Sequence, residues 1–216
     1  MLRALILVLC SSILVVTRAQ KSKIPERIPA PLHVLATIET SVGSFEVELY
    51  QDDAPKAVEN FVKLAEKKYF DGTRVHRISR SQGLIQMGDD KSKDTAKVRE
   101  WGTGGHSFLG KQFDDELDPR TPSYREGYKK GVVAMANRGP NTNTSQFLIM
   151  LKDLPYMPRN YTIFGKVVKG QDVVDRIGQA EIVPVLGPQD GRPKEHVLLK
   201  RVTVSKESPK KPEERK

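Results

Sequence analysis

Between Met135 and Leu148 the chain reads MANRGPNTNTSQFL, a run dominated by amide and hydroxyl side chains, Gly and Pro. A buried amide or hydroxyl left unpaired costs about 1–3 kcal/mol. A folded domain therefore keeps such a run as a hydrogen-bonded loop, commonly one that faces a ligand. The alternative is a surface Ω-loop held by its own side chains. A second segment with chemical potential lies upstream: Thr73–Asp89 (TRVHRISRSQGLIQMGD), half apolar, carries Arg77 and Gln86. An arginine stays charged and presents several N–H donors in a rigid fork; its alternative role is a surface ion pair. Other chemistries are missing. The only cysteine, Cys10, sits in an N-terminal apolar run, so the remainder has neither a thiol nucleophile nor a disulfide framework. His33, His76, His106 and His196 are scattered without ligand spacing, so neither a metal nor another cofactor is expected.

The elements that must position these residues are short. Gly131–Ala136 (GVVAMA) and Gln146–Leu151 (QFLIML) read as strands flanking the polar run. Ala36–Ile38 and Ser44–Leu49 alternate apolar and polar residues around Val42-Gly43, which predicts a hairpin. Asp53-Ala54-Pro55 opens a helix with Pro in its first turn. Its apolar face is Ala57, Val58, Phe61, Val62, Leu64 and Ala65. Gln171–Ile177 is a second, shorter helix, and Val197–Val204 a final strand.

Taken in order, HRI at His76–Ile78, GTGG at Gly102–Gly105, FDDE at Phe113–Glu116, MANRGPNTNTSQF at Met135–Phe147 and FGKVVKG at Phe164–Gly170 resemble the cyclophilin family of peptidyl-prolyl isomerases. The likeness spans roughly residues 36–205. It implies a mainly β fold, a closed eight-stranded antiparallel barrel capped by two helices. It also implies catalysis of X–Pro rotation, whose barrier of about 18–20 kcal/mol comes from the imide nitrogen sharing its lone pair with the carbonyl. Such a reaction needs a donor to the nitrogen, anchors for the flanking chain and a pocket for the ring. By resemblance Arg77 is the donor and Gln86 the residue that orients it; Asn137, Ala136, Gln146 and Gly102 line the peptide groove. An extended peptide held through its main chain explains tolerance for many sequences.

The chain departs from the family pattern where the ring is held. A Phe–Met pair is replaced by Gly83 and Leu84, with one extra residue between Arg77 and Gln86. A second Phe is Leu148, a Trp-Leu pair is Tyr156-Met157, a His is Tyr161, and Arg138 stands where a small residue is usual. Losing a buried aromatic contact costs a few kcal/mol, and each 1.36 kcal/mol is tenfold in rate. The reading is thus an isomerase whose proline pocket is rewritten in aliphatic residues, with a weakly active or inactive proline-binding chaperone as the alternative. Cyclosporin-type binding is put in doubt by Tyr156.

The 216 residues hold one domain of ordinary size with short ends. Met1-Leu2-Arg3, the apolar run Ala4–Val16 and Thr17-Arg18-Ala19 form a secretory signal cleaved after residue 19. The run falls short of the ~20 residues that span a bilayer; a signal-anchor is the alternative. Residues 20–35 read as a Pro- and charge-rich linker and 206–216 as a basic, disordered tail without a KDEL-type end, which leaves ER lumen and secretion both open. The net charge of +9 is assigned to solubility and basic ends rather than nucleic-acid binding. Expected partners are proline-containing peptides and unfolded client proteins, met by a monomer without a membrane span. Two insertions, Lys91–Arg99 and Asp118–Lys130, are expected to be exposed loops. The sequons at Asn143 and Asn160 are expected to border the groove and to remain largely unglycosylated.

Overall fold

The computed structural model describes residues 33–207. The signal segment, Cys10, residues 20–32 of the linker and residues 208–216 of the tail lie outside the described residues.

In chain order the strands are β1 (His33–Thr40), β2 (Gly43–Leu49), β3 (Arg77–Ser79), β4 (Leu84–Met87) and β5 (Val132–Met135). They continue as β6 (Phe147–Met150), β7 (Ile163–Lys169), β8 (Ile182–Gly187), β9 (Asp190–Pro193) and β10 (Leu199–Glu207). The α-helices are α1 (Pro55–Glu66), α2 (Pro122–Glu126) and α3 (Gln171–Gln179). The predicted hairpin forms: β1 pairs antiparallel with β2, Ile38 opposite Phe45, around a turn at Ser41-Val42. Alternate residues of β1 are buried, as the period of two demands. β1 starts inside the stretch read as linker, and β10 runs two residues into the stretch read as tail.

All strands form one antiparallel sheet in the order β10-β1-β2-β7-β5-β6-β4-β3-β9-β8. The closed eight-stranded barrel is therefore corrected to an open ten-stranded sheet. The cause is the β8–β9 hairpin, which pairs with β3 at Ile78↔Gly191 and Ser79↔Asp190, an edge that closure would need. The ends approach only upstream of β3, where Val75 N–H donates to the Val197 carbonyl (3.0 Å) and Leu199 N–H to that of Thr73 (2.8 Å).

The main core lies between the sheet and α1. Phe61 of α1 packs against Phe70, Phe147 and Phe164 with ring centroids 5.0, 5.6 and 5.5 Å away. Helix α1 has no side-chain cap of its own at Ala54. Glu116 of the FDDE motif supplies one from a distant loop, each carboxylate oxygen accepting one N–H, from Lys56 and from Ala57, both at 2.9 Å. The Lys91–Arg99 insertion is two 3-10 turns, Asp90–Lys93 and Thr95–Glu100, capped by Asp89 and Asp94. The Asp118–Lys130 insertion contains α2, capped by Thr121, and the buried Tyr128 near its end, so it too is less a loop than its charge suggests.

Candidate active site

Arg77 and Gln86 face each other across the β3–β4 ladder. Their side chains therefore emerge side by side on one face of the sheet. Gln86 Nε2 donates to Gln146 Oε1 (2.8 Å). Gln146 Nε2 in turn donates to the carbonyls of Gly102 (3.1 Å) and Gly104 (2.8 Å). Arg77 Nη1 lies 3.5 Å from Gln86 Oε1, so the arginine stands at the head of this relay.

The opposite rim, Gly102–Gly105, is backbone held by two carboxylates. Buried Asp89 accepts from the Gly102 N–H, and Asp90 Oδ1 accepts from the Gly105 N–H (2.9 Å). Burial pushes the Asp89 carboxyl above its ordinary range. Glycine at 104 is required by this approach: a Cβ there would come 2.2 Å from Asp89 Oδ1. The Asn137–Thr144 loop forms the third side. Asn137 Nδ2 donates to the Asn160 carbonyl (2.7 Å), and Arg138 Nη2 reaches across to the Thr103 carbonyl (2.8 Å), strapping the loop to the glycine rim. Asn141 and Asn143 satisfy loop backbone, Asn141 Oδ1 accepting from Asp115 N–H (2.9 Å) and Asn143 Nδ2 donating to the Phe113 carbonyl (3.1 Å). Asn143 is fully buried, whereas Asn160 is exposed. A glycan at the first sequon is incompatible with this packing.

Seven of the residues singled out from sequence thus meet around one polar cleft of about 340 Å³: Arg77, Gln86, Gly102, Ala136, Asn137, Arg138 and Gln146. The ring-holding set divides differently. Leu84 and Leu148 are 2% and 4% exposed and belong to a second apolar cluster with Tyr128, Val132, Ala134, Met150 and Ile163. Met157, Tyr161 and Ala136 pack against it. Tyr161 is pinned by Tyr128, whose hydroxyl accepts from the Tyr161 N–H (2.9 Å) and donates to its carbonyl (3.0 Å); burial pushes the Tyr128 phenol up to about 12. Gly83 and Tyr156 lie apart from this cluster. Gly83 is a buried turn residue at φ +70° roofed by the Lys152 stem, and Tyr156 is 97% exposed.

Two features escaped the sequence. His76, 8% exposed, has neither ring nitrogen in a well-formed hydrogen bond, and burial lowers its pKa to about 4, so the ring is neutral at pH 7. Asp190 of β9 binds Arg77 in a two-pronged pair, Nε to Oδ1 at 2.8 Å and Nη2 to Oδ2 at 2.6 Å. Arg77 beside it holds the Asp190 carboxyl below its ordinary value. Gln82 Oε1 accepts from the same Nη2 (3.1 Å). The Gly187-Pro188-Gln189-Asp190-Gly191 run is a turn signal that reveals the hairpin. No local signal reveals that its aspartate meets an arginine 113 residues away.

Among known proteins, the family described as cyclophilin type peptidyl-prolyl cis-trans isomerase/CLD matches residues 35–204. The chain is similar to peptidyl-prolyl cis-trans isomerase-like 1 of Neurospora crassa, 39% identical over 173 residues, 79% of this chain and 93% of that one. It also resembles the crystal structure of a Cryptosporidium parvum cyclophilin type peptidyl-prolyl cis-trans isomerase, with TM-score 0.66 and 30% identity, covering 80% of this chain and 98% of that one. The structure of that protein in the presence of the dipeptide Ala-Pro gives TM-score 0.65 at 30% identity, covering 79% and 98%.

Proposed function

The chain belongs to the cyclophilin-type peptidyl-prolyl cis-trans isomerases, and from that premise we propose that Arg77 donates to the imide nitrogen of X–Pro bonds during the folding of secretory-pathway proteins. The observation that carries this is the relay from Arg77 through Gln86 and Gln146 to the glycine rim, which presents donors along an open cleft. An Arg77 N–H aimed at the imide nitrogen localises the lone pair there, removes the C–N double-bond character and lowers the rotation barrier. No proton leaves the arginine and no covalent bond is made or broken, so neither nucleophile nor cofactor is needed.

Asp190 belongs to this machinery as a positioning residue. Its two-pronged grip fixes the plane of the guanidinium and leaves Nη1 as the arm turned toward Gln86. The N-terminal sequence supports the secretory setting, and the expected clients are unfolded chains and proline-bearing peptides met by a monomer. The Ala-Pro dipeptide used with the Cryptosporidium protein is a small probe of the same class.

The same grip, together with the burial of Leu84 and Leu148, favours a second reading in which the chain binds proline segments as a chaperone with little turnover. Isomerase kinetics on proline tetrapeptides separate the two. The chain is expected to accelerate isomerisation and Arg77→Ala to lose about 100- to 1,000-fold in kcat. Rates equal to the uncatalysed one for both proteins, with peptide binding retained, establish the second reading instead.

A further inference from the structure

A second cleft, of about 420 Å³, opens on the other side of the Arg77–Gln86 pair and shares Arg77, Gln86, Gly102 and Thr103 with the polar one. Its walls are the Lys91–Arg99 insertion with the residues that follow it, and the β8–β9 hairpin. The 3-10 turn Thr95–Glu100 and the residue after it contribute Val98 and Trp101; the β8–β9 hairpin contributes Val185 and Leu186. Val185 and Leu186 are 59% and 71% exposed, consecutive residues of the irregular stretch of β8 between Pro184 and Gly187. Exposed aliphatic area of this kind is stabilised when an apolar partner covers it.

The charge around this cleft is one-sided. Asp190 is paired with Arg77, and His76 in the floor is neutral. That leaves Arg99 and Arg192 at the lining, and among the described residues neither has a carboxylate within 4.0 Å. An apolar pocket continuous with the reacting centre and flanked by two unpaired cations fits a side-chain pair of definite chemistry. We propose that it is a specificity subsite for the peptide flanking the target proline, taking a large aliphatic or aromatic residue between Trp101 and Leu186 with a neighbouring acidic residue at Arg99 and Arg192. Because the cleft adjoins Arg77 directly, that pair lies within about three residues of the proline, at roughly 3.3 Å per extended residue. The inference rests on the isomerase reading and names the substrate class for it.

The test uses the full chain and matched peptides of the form Ala-X-X-Pro-Y-Y-Ala, each X or Y being set independently. One has alanine at X and Y. The others carry Leu-Glu or Trp-Glu, in either order, immediately before or after the proline. Exchange NMR gives turnover and fluorescence polarisation gives binding. The acidic–apolar peptides are expected to exceed the alanine peptide at least tenfold in kcat/KM, through KM rather than kcat, on one side of the proline. That ratio should collapse toward one in Val185→Thr/Leu186→Thr and separately in Arg99→Gln/Arg192→Gln; the second pair keeps the test valid should the first disturb the hairpin. Equal turnover of all peptides, or a preference that survives both double substitutions, overturns the subsite while leaving the isomerase reading intact. Absence of turnover for every peptide sinks the isomerase reading. The binding ratio, with the same tenfold criterion and the same variants, then decides the subsite alone.

Discussion

Arg77 has a fork of three nitrogens, and two of them are taken by Asp190. A carboxylate in this position lowers the entropy lost when the guanidinium is presented to substrate, and it also offsets part of the positive field at the imide nitrogen. The side chains are only 23% and 10% exposed, which strengthens the pair beyond a surface salt bridge. Orientation is the larger effect for a reaction in which a single N–H must point at one lone pair. Asp190→Asn is accordingly expected to lower kcat about tenfold with KM nearly unchanged, and Asp190→Glu to recover part of the loss. Steady-state kinetics on one tetrapeptide check this; a change confined to KM contradicts a positioning role. Because the Asp190 pKa is held below its ordinary value, the pair is intact throughout pH 5–8 and is lost only as pH falls through that depressed value.

At the scale of elements, the site is built from pieces that borrow their caps from one another. Helix α1 begins at Pro55 with no side-chain cap nearby, and Glu116 satisfies two of its first N–H groups. Glu116 also donates its own N–H to Thr162 Oγ1 (2.8 Å), which ties the loop to the strand start at Ile163. Glu116→Ala is expected to destabilise the fold by about 0.5–2 kcal/mol, read as a lower urea midpoint with an unchanged slope. A midpoint equal to wild type shows that water replaces the carboxylate without cost. The polar run obeys the same logic: Thr142 bonds within the loop, Asn141 and Asn143 tie it to the Phe113–Asp115 segment, Asn137 reaches the Asn160 carbonyl, and Arg138 and Gln146 reach the glycine rim across the cleft. Its composition predicted a bonded loop at a cleft. Which amides serve the loop and which line the cleft depends on contacts with residues 102–115 and 160.

For the molecule as a whole, His76 links the site to acid stability. Burial in the folded state lowers its pKa to about 4, against an ordinary value near 6.5. The unfolded chain therefore takes the proton first. Stability from the neutral ring is full above pH 6.5 and declines as pH falls from there toward 4, by a term on the order of 3 kcal/mol. The urea midpoint is expected to drop between pH 7 and pH 4.5 in wild type and to drop less in His76→Gln. A parallel fall in both proteins excludes the histidine as the cause. The open sheet order is the other property of the whole: β8 and β9 occupy the β3 edge and carry both Asp190 and the exposed Val185-Leu186 pair to the side of Arg77.

Local pattern determined much of this protein. Period-two burial at β1, the Pro55 start and 3.6-residue face of α1, and the motif run from His76 to Gly170 specify the elements and the family because each depends on neighbours in the chain. Seven residues of the polar cleft were legible for the same reason. The tertiary structure alone decided that the sheet stays open and that Leu84 and Leu148 are buried in a second core. It alone placed Gly83 under Lys152 and Tyr156 in solvent, and brought Asp190 to the guanidinium of Arg77. The open sheet and the Asp190 contact rest on which strand takes the β3 edge, a pairing between residues more than a hundred positions apart that no local spacing encodes.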